Sequence, residues 1–419
     1  MINHLGTFDA ENYGDLLYPL LFRYVLQRRG ASPEVRQYSM LRGAAPQQAG
    51  FETYPALNLF ETERAAPRRL VIGGGDILRT DFDLVASHYG RASRVSYGGL
   101  RRSLGTADLL GYLLRKSLPT LDADGFYAER FRARWMNYPA AGPFLINPDD
   151  LPQAGPVYYL SCGVPHDFAP SERQRVARTV ERARFVYLRD EQSADKLRRA
   201  GVRRELCVAP DLAVILSDQF EHANEARRGR EILSRFGVDT TRPVLCFQSL
   251  PHPDFSEEEI VRQLRHCRER TRSEVVLLPV GYCHGDHEFL QRLSKRSGGA
   301  FKYAGVASIF DMISIIAASD VFVGTSLHGN ITAFSFGVPH LFGPLHVDKA
   351  EGFLSVVNLP LELKLRSWSE LNDKIELATG LGRAFFSARA REAKSRVYTV
   401  VDQLLDDLLN ETGRAAFVA

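Results

Sequence analysis

The sequence predicts an α/β protein built as two open-sheet units, and three observations carry that expectation. Short apolar runs rich in β-branched and aromatic residues, such as Val157-Tyr158-Tyr159-Leu160, Phe185-Val186-Tyr187-Leu188 and Val275-Val276-Leu277-Leu278, alternate with amphipathic helical stretches. The chain of 419 residues is longer than one ordinary hydrophobic core serves. A polar stretch from Ser217 to Arg230 divides the alternation into two sets and reads as an interdomain linker. The expected units are residues 1–216 and 231–345, followed by a helical tail over 346–419. The tail's last apolar stripe (Val397, Val400, Val401, Leu404, Leu405, Leu408) is expected to dock back across a domain.

Composition narrows the classes of function. A hydrophobic fraction of 45% beside a charged fraction of 25% is the balance of a soluble globular protein. A net charge of only +3 makes no demand for nucleic acid. Five cysteines, odd in number and without a Cys-x-x-Cys pair, argue for a reducing compartment and against a disulfide framework or a cysteine zinc site. The first residues carry Asp9, Glu11 and Asp15 rather than a basic-then-apolar leader, and no apolar run reaches the roughly 18 residues of a membrane span. A cytoplasmic protein is expected, with peripheral contact at the inner membrane face left open.

Residues Ala10 to Asp15 form a polar turn, and an amphipathic helix with Leu16, Leu17, Leu20, Leu21, Tyr24 and Val25 on one face follows it. Asn12, Gly14 and Asp15 therefore fall at a helix N-terminus, where Asp15 would also serve as an ordinary cap. The run Arg69 to Ile72 reads as a buried strand that enters Gly73, Gly74 and Gly75. Glycines there let backbone N–H groups approach a ligand, although the pattern is neither a Walker loop nor G-x-G-x-x-G. An insertion is expected over about 88–150. Its Arg91, Arg94, Arg101, Arg102, Arg115 and Lys116 interleave with leucines, which fits a membrane-surface patch, an acceptor-binding element or a solvated helix pair.

The polar loop at Ser161 and the turn at Pro210-Asp211 mark further strand ends. Arg189 follows a strand directly, so its guanidinium could grip a carboxylate or phosphate, or pair with Asp190 or Glu191. In the second unit Ser256 and Glu259 form a capping-box pattern. Cys283, His284, Asp286 and His287 invite a metal reading, but glycines flank them and Asp286 reads as a helix cap, so no metal is assigned.

The chain is organised around residues 319–334. Val321 to Val323 reads as a strand, Gly324, Thr325 and Ser326 as a tight polar turn, and His328, Gly329 and their successors as a helix stopped by Gly337 and Pro339. His328 is thus placed at the carboxyl edge of a strand, where open α/β sheets bind ligands. Helix-start N–H groups beside it favour an anion, and a titratable imidazole there suits acid–base chemistry on a phosphorylated compound.

Taken in order, these pieces resemble the polysaccharide pyruvyl transferase family. The likeness rests on Asn12-x-Gly14-Asp15, Gly73 to Gly75, Arg189-Asp190-x-x-Ser193, Pro210-Asp211-x-Ala213, Leu327-His328-Gly329, Gly337-x-Pro339 and Lys349. It implies a GT-B-like fold, two Rossmann-type domains facing a cleft with the C-terminal helix crossing back. It also implies transfer of a pyruvyl group from phosphoenolpyruvate, a co-substrate, to two hydroxyls of a sugar as a cyclic ketal, with no further cofactor. His328 would be the general acid/base, and Arg189, Lys349, Ser326, Gly324, Thr325 and Gly329 would hold the donor. Asn12, Gly14, Asp15, Gly73, Gly74, Gly75, Ser161 and Asp211 would serve the acceptor or phosphate. The acceptor would be a polysaccharide or glycan precursor, lipid-linked or nucleotide-linked. One departure stands out: the family pattern carries Arg two positions before the His, and here that residue is Ser326. The alternatives are a GT-B glycosyltransferase using a nucleotide sugar and a non-catalytic glycan-binding relative.

Overall fold

The computed structural model describes residues 1–40, 49–61, 69–79, 140, 142–151, 155–306, 308–345 and 348–414. The expected insertion over 88–150 lies largely outside the described residues, as does the basic, leucine-bearing stretch 91–116 on which membrane contact rested.

Two parallel sheets organise the chain. The first contains β1 (Ile2–Leu5), β2 (Val35–Ser39), β3 (Thr53–Pro55), β4 (Arg69–Gly75), β5 (Val157–Cys162), β6 (Phe185–Leu188) and β7 (Cys207–Val208), in the order β3-β2-β1-β4-β5-β6-β7. The second contains β8 (Val244–Gln248), β9 (Glu274–Leu277), β10 (Lys302–Tyr303), β11 (Val321–Gly324) and β12 (His340–Phe342), in the order β10-β9-β8-β11-β12. Strands covered on both faces must be apolar throughout rather than alternating, and β5, β8 and β11 are buried at every position. In each sheet the order reverses once, between β1 and β4 and between β8 and β11. A crevice opens at the carboxyl ends of such strand pairs because the following helices leave to opposite faces.

The helices used below are α1 (Tyr13–Arg28), α2 (Pro170–Arg182), α3 (Glu191–Arg199), α4 (His222–Arg235), α5 (Glu257–Thr271), α6 (Asp286–Arg296), α7 (Ile309–Ala318), α8 (Leu327–Ser335), α9 (Asp348–Val356) and α10 (Leu371–Arg414). The stretch Ser217 to Arg230, expected as a linker, runs between the two sheets, is largely helical and enters α4. Its polarity is that of an amphipathic helix seen from outside. Ile232 and Leu233 turn inward, and Gly229 lies so close to α7 that a Cβ there would sit 2.0 Å from the Ser314 carbonyl oxygen.

Helix α1 belongs by sequence to the first sheet yet also touches the second unit. Tyr13 N–H donates to the Val280 carbonyl at 3.0 Å, Cys283 N–H donates to Glu11 O at 3.3 Å, and Asn12 forms an antiparallel bridge with Gly281. The Tyr13 and Thr332 hydroxyls, both buried, bond at 2.7 Å. One continuous apolar core therefore runs from α1 through α8 and β11 into α10.

Helix α10 is interrupted at Gly382 (φ 74°, ψ 161°), a conformation glycine adopts without steric cost. Beyond the break its buried Val397, Val401, Leu404, Leu405 and Leu408 carry it back over the first unit. There Asp402 pairs with Arg28 at 3.1 Å, Asp406 with Arg29, and Asp407 with Arg184. Among the described residues no helix is long and apolar enough to cross a membrane.

Candidate active site

Both crevices open into one cleft of about 320 Å³ between the sheets. Its chemistry centres on His328, and local structure explains why the imidazole is there. Strand β11 ends at Gly324, and Ser326 caps the next helix by accepting the Gly329 N–H at 3.2 Å. The Gln248 side chain at the end of β8 fixes the turn by accepting the Ser326 N–H at 2.8 Å. His328 then falls in the first turn of α8 and points at α1 across the cleft. Gly14 of α1 lies against the ring, since a Cβ there would be 2.0 Å from Nδ1. The Tyr18 hydroxyl lies 3.0 Å from Nε2 and donates to Asp211 Oδ2 at 2.8 Å. Asp211 Oδ2 itself is 3.7 Å from Nε2. Burial would raise the Asp211 carboxyl, but His328 and Arg189 outweigh it and hold it below the usual carboxylate range.

Arg189, 3% exposed, runs beneath Gly163 and pairs with Asp76; it lies 3.4 Å from Asp211 and 3.8 Å from Asp190. The other local partner expected from sequence, Glu191, turns instead to Arg198. Burial acts to raise Asp76, yet Arg189 and then Lys349 hold its carboxyl down at about 2. Lys349, one residue inside α9, lines the same wall and has no ion pair within 4.0 Å among the described residues. Burial lowers its ammonium, and Asp76 counters only part of that. The N–H groups of Leu327 and His328, which point out of the first turn of α8, take no backbone acceptor among the described residues. An ammonium and the positive end of a helix thus face one space.

Asp286 is not the cap its position implied. Gly285 holds the cap position, and Asp286, 1% exposed, turns inward. Its Oδ2 accepts from Gln248 Nε2 at 2.7 Å, Gly281 N–H at 2.9 Å and Val280 N–H at 3.3 Å, while Oδ1 is buried without a partner. Burial raises this carboxyl to about 7 against the pull of those three donors. The neighbouring His287 turns away to Tyr303, and Cys283 is buried. Asp15 is no cap either: Asn12 holds that position, and its amide donates to Asp15 Oδ2 at 2.8 Å. Burial raises the Asp15 carboxyl.

Of the residues expected to catalyse the transfer or to hold the donor, the acceptor or phosphate, Asn12, Asp15, Gly75, Arg189, Thr325, Ser326, His328 and Lys349 line the cleft. Gly14, Gly73, Gly74, Ser161, Asp211, Gly324 and Gly329 stand behind it, where they pack or support the wall. At Gly74 (φ 110°) a Cβ would lie 2.1 Å from the Tyr18 ring. The middle glycine therefore seats an aromatic ring, and Gly75 alone of the triplet reaches the cleft. Ser161 Oγ accepts the Leu212 N–H at 2.9 Å, and Asp211 Oδ1 the Ala213 N–H at 2.9 Å, which together fix the turn that carries Asp211.

Sequence reading passed over Tyr18, Asp76, Gln248 and the inward role of Asp286. Tyr18 is hidden in an apolar helix pattern. Gln248 carried a usable signal, a polar residue ending the otherwise apolar strand Val244–Gln248.

Comparison with solved structures gives three likenesses over nearly the whole chain, each with a TM-score of 0.52. Anabaena Alr3699/HepE in complex with UDP is 13% identical, with 97% of this chain and 99% of that one covered. A glycosyltransferase from Rickettsia africae is 10% identical, with 100% and 99% covered. The UDP-GlcNAc 2-epimerase from Neisseria meningitidis, bound to UDP-GlcNAc, is 11% identical, with 97% and 99% covered. At such identities the likeness is one of fold, and the fold is GT-B, as the sequence resemblance implied. Comparison with curated proteins gives no match. The family model for polysaccharide pyruvyl transferase matches residues 133–342, half of the chain, which includes Arg189, Asp211, Ser326 and His328. The chain therefore belongs to the polysaccharide pyruvyl transferase family and is a transferase.

Proposed function

We propose that the cleft transfers the pyruvyl group of phosphoenolpyruvate to two hydroxyls of a sugar in a glycan precursor, as a cyclic ketal, with His328 moving the protons. The observation that carries this reading is the position of His328, on the first turn of α8 in the same cleft as Lys349. Phosphoenolpyruvate brings a carboxylate and a phosphate, and the open N–H groups of α8 and the Lys349 ammonium are the matching donors. The His328 imidazolium gives a proton to the methylene carbon, which leaves an oxocarbenium-like centre. One sugar hydroxyl adds there and returns its proton to the imidazole. The C–O bond to phosphate then breaks as the second hydroxyl closes the ketal, and that hydroxyl's proton leaves with the phosphate as hydrogen phosphate. Arg189 holds the wall through Asp76 and Asp211, and Thr325 and Ser326 shape the turn under the donor. No cofactor beyond the co-substrate enters this scheme.

Ser326, in place of the family arginine, favours a second reading in which the donor differs. A nucleotide sugar is the natural candidate on this fold. The test is phosphate release from phosphoenolpyruvate with a panel of nucleotide-linked and lipid-linked sugars, comparing wild type with His328→Ala. Sugar-dependent release that vanishes in the variant, with a product heavier by one pyruvyl ketal, is the expected result. Turnover of a nucleotide sugar without phosphoenolpyruvate would overturn it.

A further inference from the structure

We infer that His328 exchanges protons through Nδ1 alone, in a tautomer set by the relay Asp211–Tyr18–His328, which makes Tyr18 a positioning residue for the transfer. The inference rests on the acid–base role proposed above for His328, and hydrogen counting leads to it. The Tyr18 hydroxyl has one proton and two partners, Asp211 Oδ2 at 2.8 Å and His328 Nε2 at 3.0 Å. An ionised carboxylate can only accept, so the hydroxyl proton goes to Asp211. Asp211 is ionised here: its other oxygen takes the Ala213 N–H at 2.9 Å, and Arg189 stands 3.4 Å from Oδ2. The tyrosine oxygen is then left to accept, and the hydrogen it accepts must be carried by Nε2.

In the neutral ring Nδ1 therefore holds the lone pair. It has no hydrogen-bond partner among the described residues and is not among the buried polar atoms that lack one. Gly14 packs over the ring beside that nitrogen, where a residue with a Cβ would displace the imidazole. The two ring edges thus have separate tasks. Nε2–H stays on Tyr18 in both charge states, with the Asp211 carboxylate 3.7 Å away to stabilise the imidazolium. Nδ1 gives its proton to the methylene carbon as the new C–H bond forms, and takes one back from the attacking hydroxyl as the C–O bond forms. Without the relay nothing would hold the hydrogen on Nε2, and part of the neutral population would carry it on Nδ1 instead.

The first test needs no substrate. Nitrogen-15 spectra of histidine-labelled, ligand-free full-length protein, with His328 assigned by its loss in His328→Ala, report which ring nitrogen is protonated in the neutral form. The expected result is Nε2–H in wild type and a mixture of tautomers in Tyr18→Phe. In turnover, Tyr18→Phe is expected to lower kcat by about 10- to 100-fold, with the KM for phosphoenolpyruvate within about twofold of wild type and a shifted pH–rate profile. A wild-type ring protonated at Nδ1, or a Tyr18→Phe variant with unchanged tautomer and kcat, overturns the relay. Failure of the pyruvyl reading would look different: no turnover of phosphoenolpyruvate by wild type, with the Nε2–H tautomer intact in the spectra.

Discussion

Gly14 and His328 occupy one space: the Cβ that any other residue would carry at position 14 falls 2.0 Å from Nδ1 and 2.4 Å from Cγ of the imidazole. The Asn-x-Gly-Asp turn is thereby tied to a histidine more than three hundred residues away. Gly14→Ala must push the ring off its seat, and misplacement of a reacting group by about 1 Å can cost about 100-fold in rate. We expect turnover to fall by at least that factor while the circular dichroism spectrum is retained.

Lys349 is expected to act on donor binding. Lys349→Met removes one charge-assisted contact, worth about 1.5–3 kcal/mol, so the phosphoenolpyruvate Kd should rise by roughly 10- to 100-fold. Titration calorimetry measures it, and an unchanged Kd would remove Lys349 from the donor site.

Ser326 serves the helix whatever the donor. Its Oγ takes the Gly329 N–H, so Ser326→Ala should cost about 1 kcal/mol in urea denaturation. Ser326→Arg loses the same cap but restores the family cation beside the helix start. If the donor is phosphoenolpyruvate, its KM should fall in that variant despite the lower stability.

The buried Asp286 carboxyl gives a pH signature. Its pKa is raised from 3.8 to about 7, so the folded state keeps a proton that the unfolded chain releases near pH 4. Its contribution is complete below pH 4 and is lost as pH rises through about 7. Asp286→Asn removes that loss and gives the orphan oxygen's place to an amide. The variant should gain on wild type by about 1–3 kcal/mol at pH 8, and the gain should shrink towards pH 4. A constant difference across that range would refute the assignment.

Ion pairs in the two settings should differ sharply. Arg189→Met strands Asp76 and Asp211 in a buried wall and is expected to cost about 3–5 kcal/mol. Asp407→Asn breaks a pair whose Arg184 side chain is 53% exposed, so it should stay within about 1 kcal/mol. Urea midpoints of the two variants make the comparison.

The sequence made the strands legible because they are apolar throughout, and the site legible because β11 ends in a glycine and the next helix begins at a capping serine. Two kinds of feature escaped it. Partners brought together by the fold, such as Tyr18 with Asp211 and Asp286 with Gln248, carry no local pattern: a tyrosine in an apolar helix face reads as core, and an aspartate at a helix start reads as a cap. The helical character of 217–230 escaped for the opposite reason. Its exposed polar face dominates the composition, whereas the Gly229 contact that seats it on α7 depends on a neighbour eighty-five residues on.

The ion pairs between α10 and Arg28, Arg29 and Arg184 also bear on how the protein is made. Helix α10 packs against the turn Leu212–Ile215 with residues synthesised almost two hundred positions later. At ordinary elongation rates of about 5–20 residues per second, the first unit waits on the order of 10–40 s for that cover. Throughout that time the apolar surface meant for Val401, Leu404 and Leu408 stays open to chaperones and to other nascent chains. A stop codon near residue 390 would spare every cleft residue identified above and still yield a chain that aggregates.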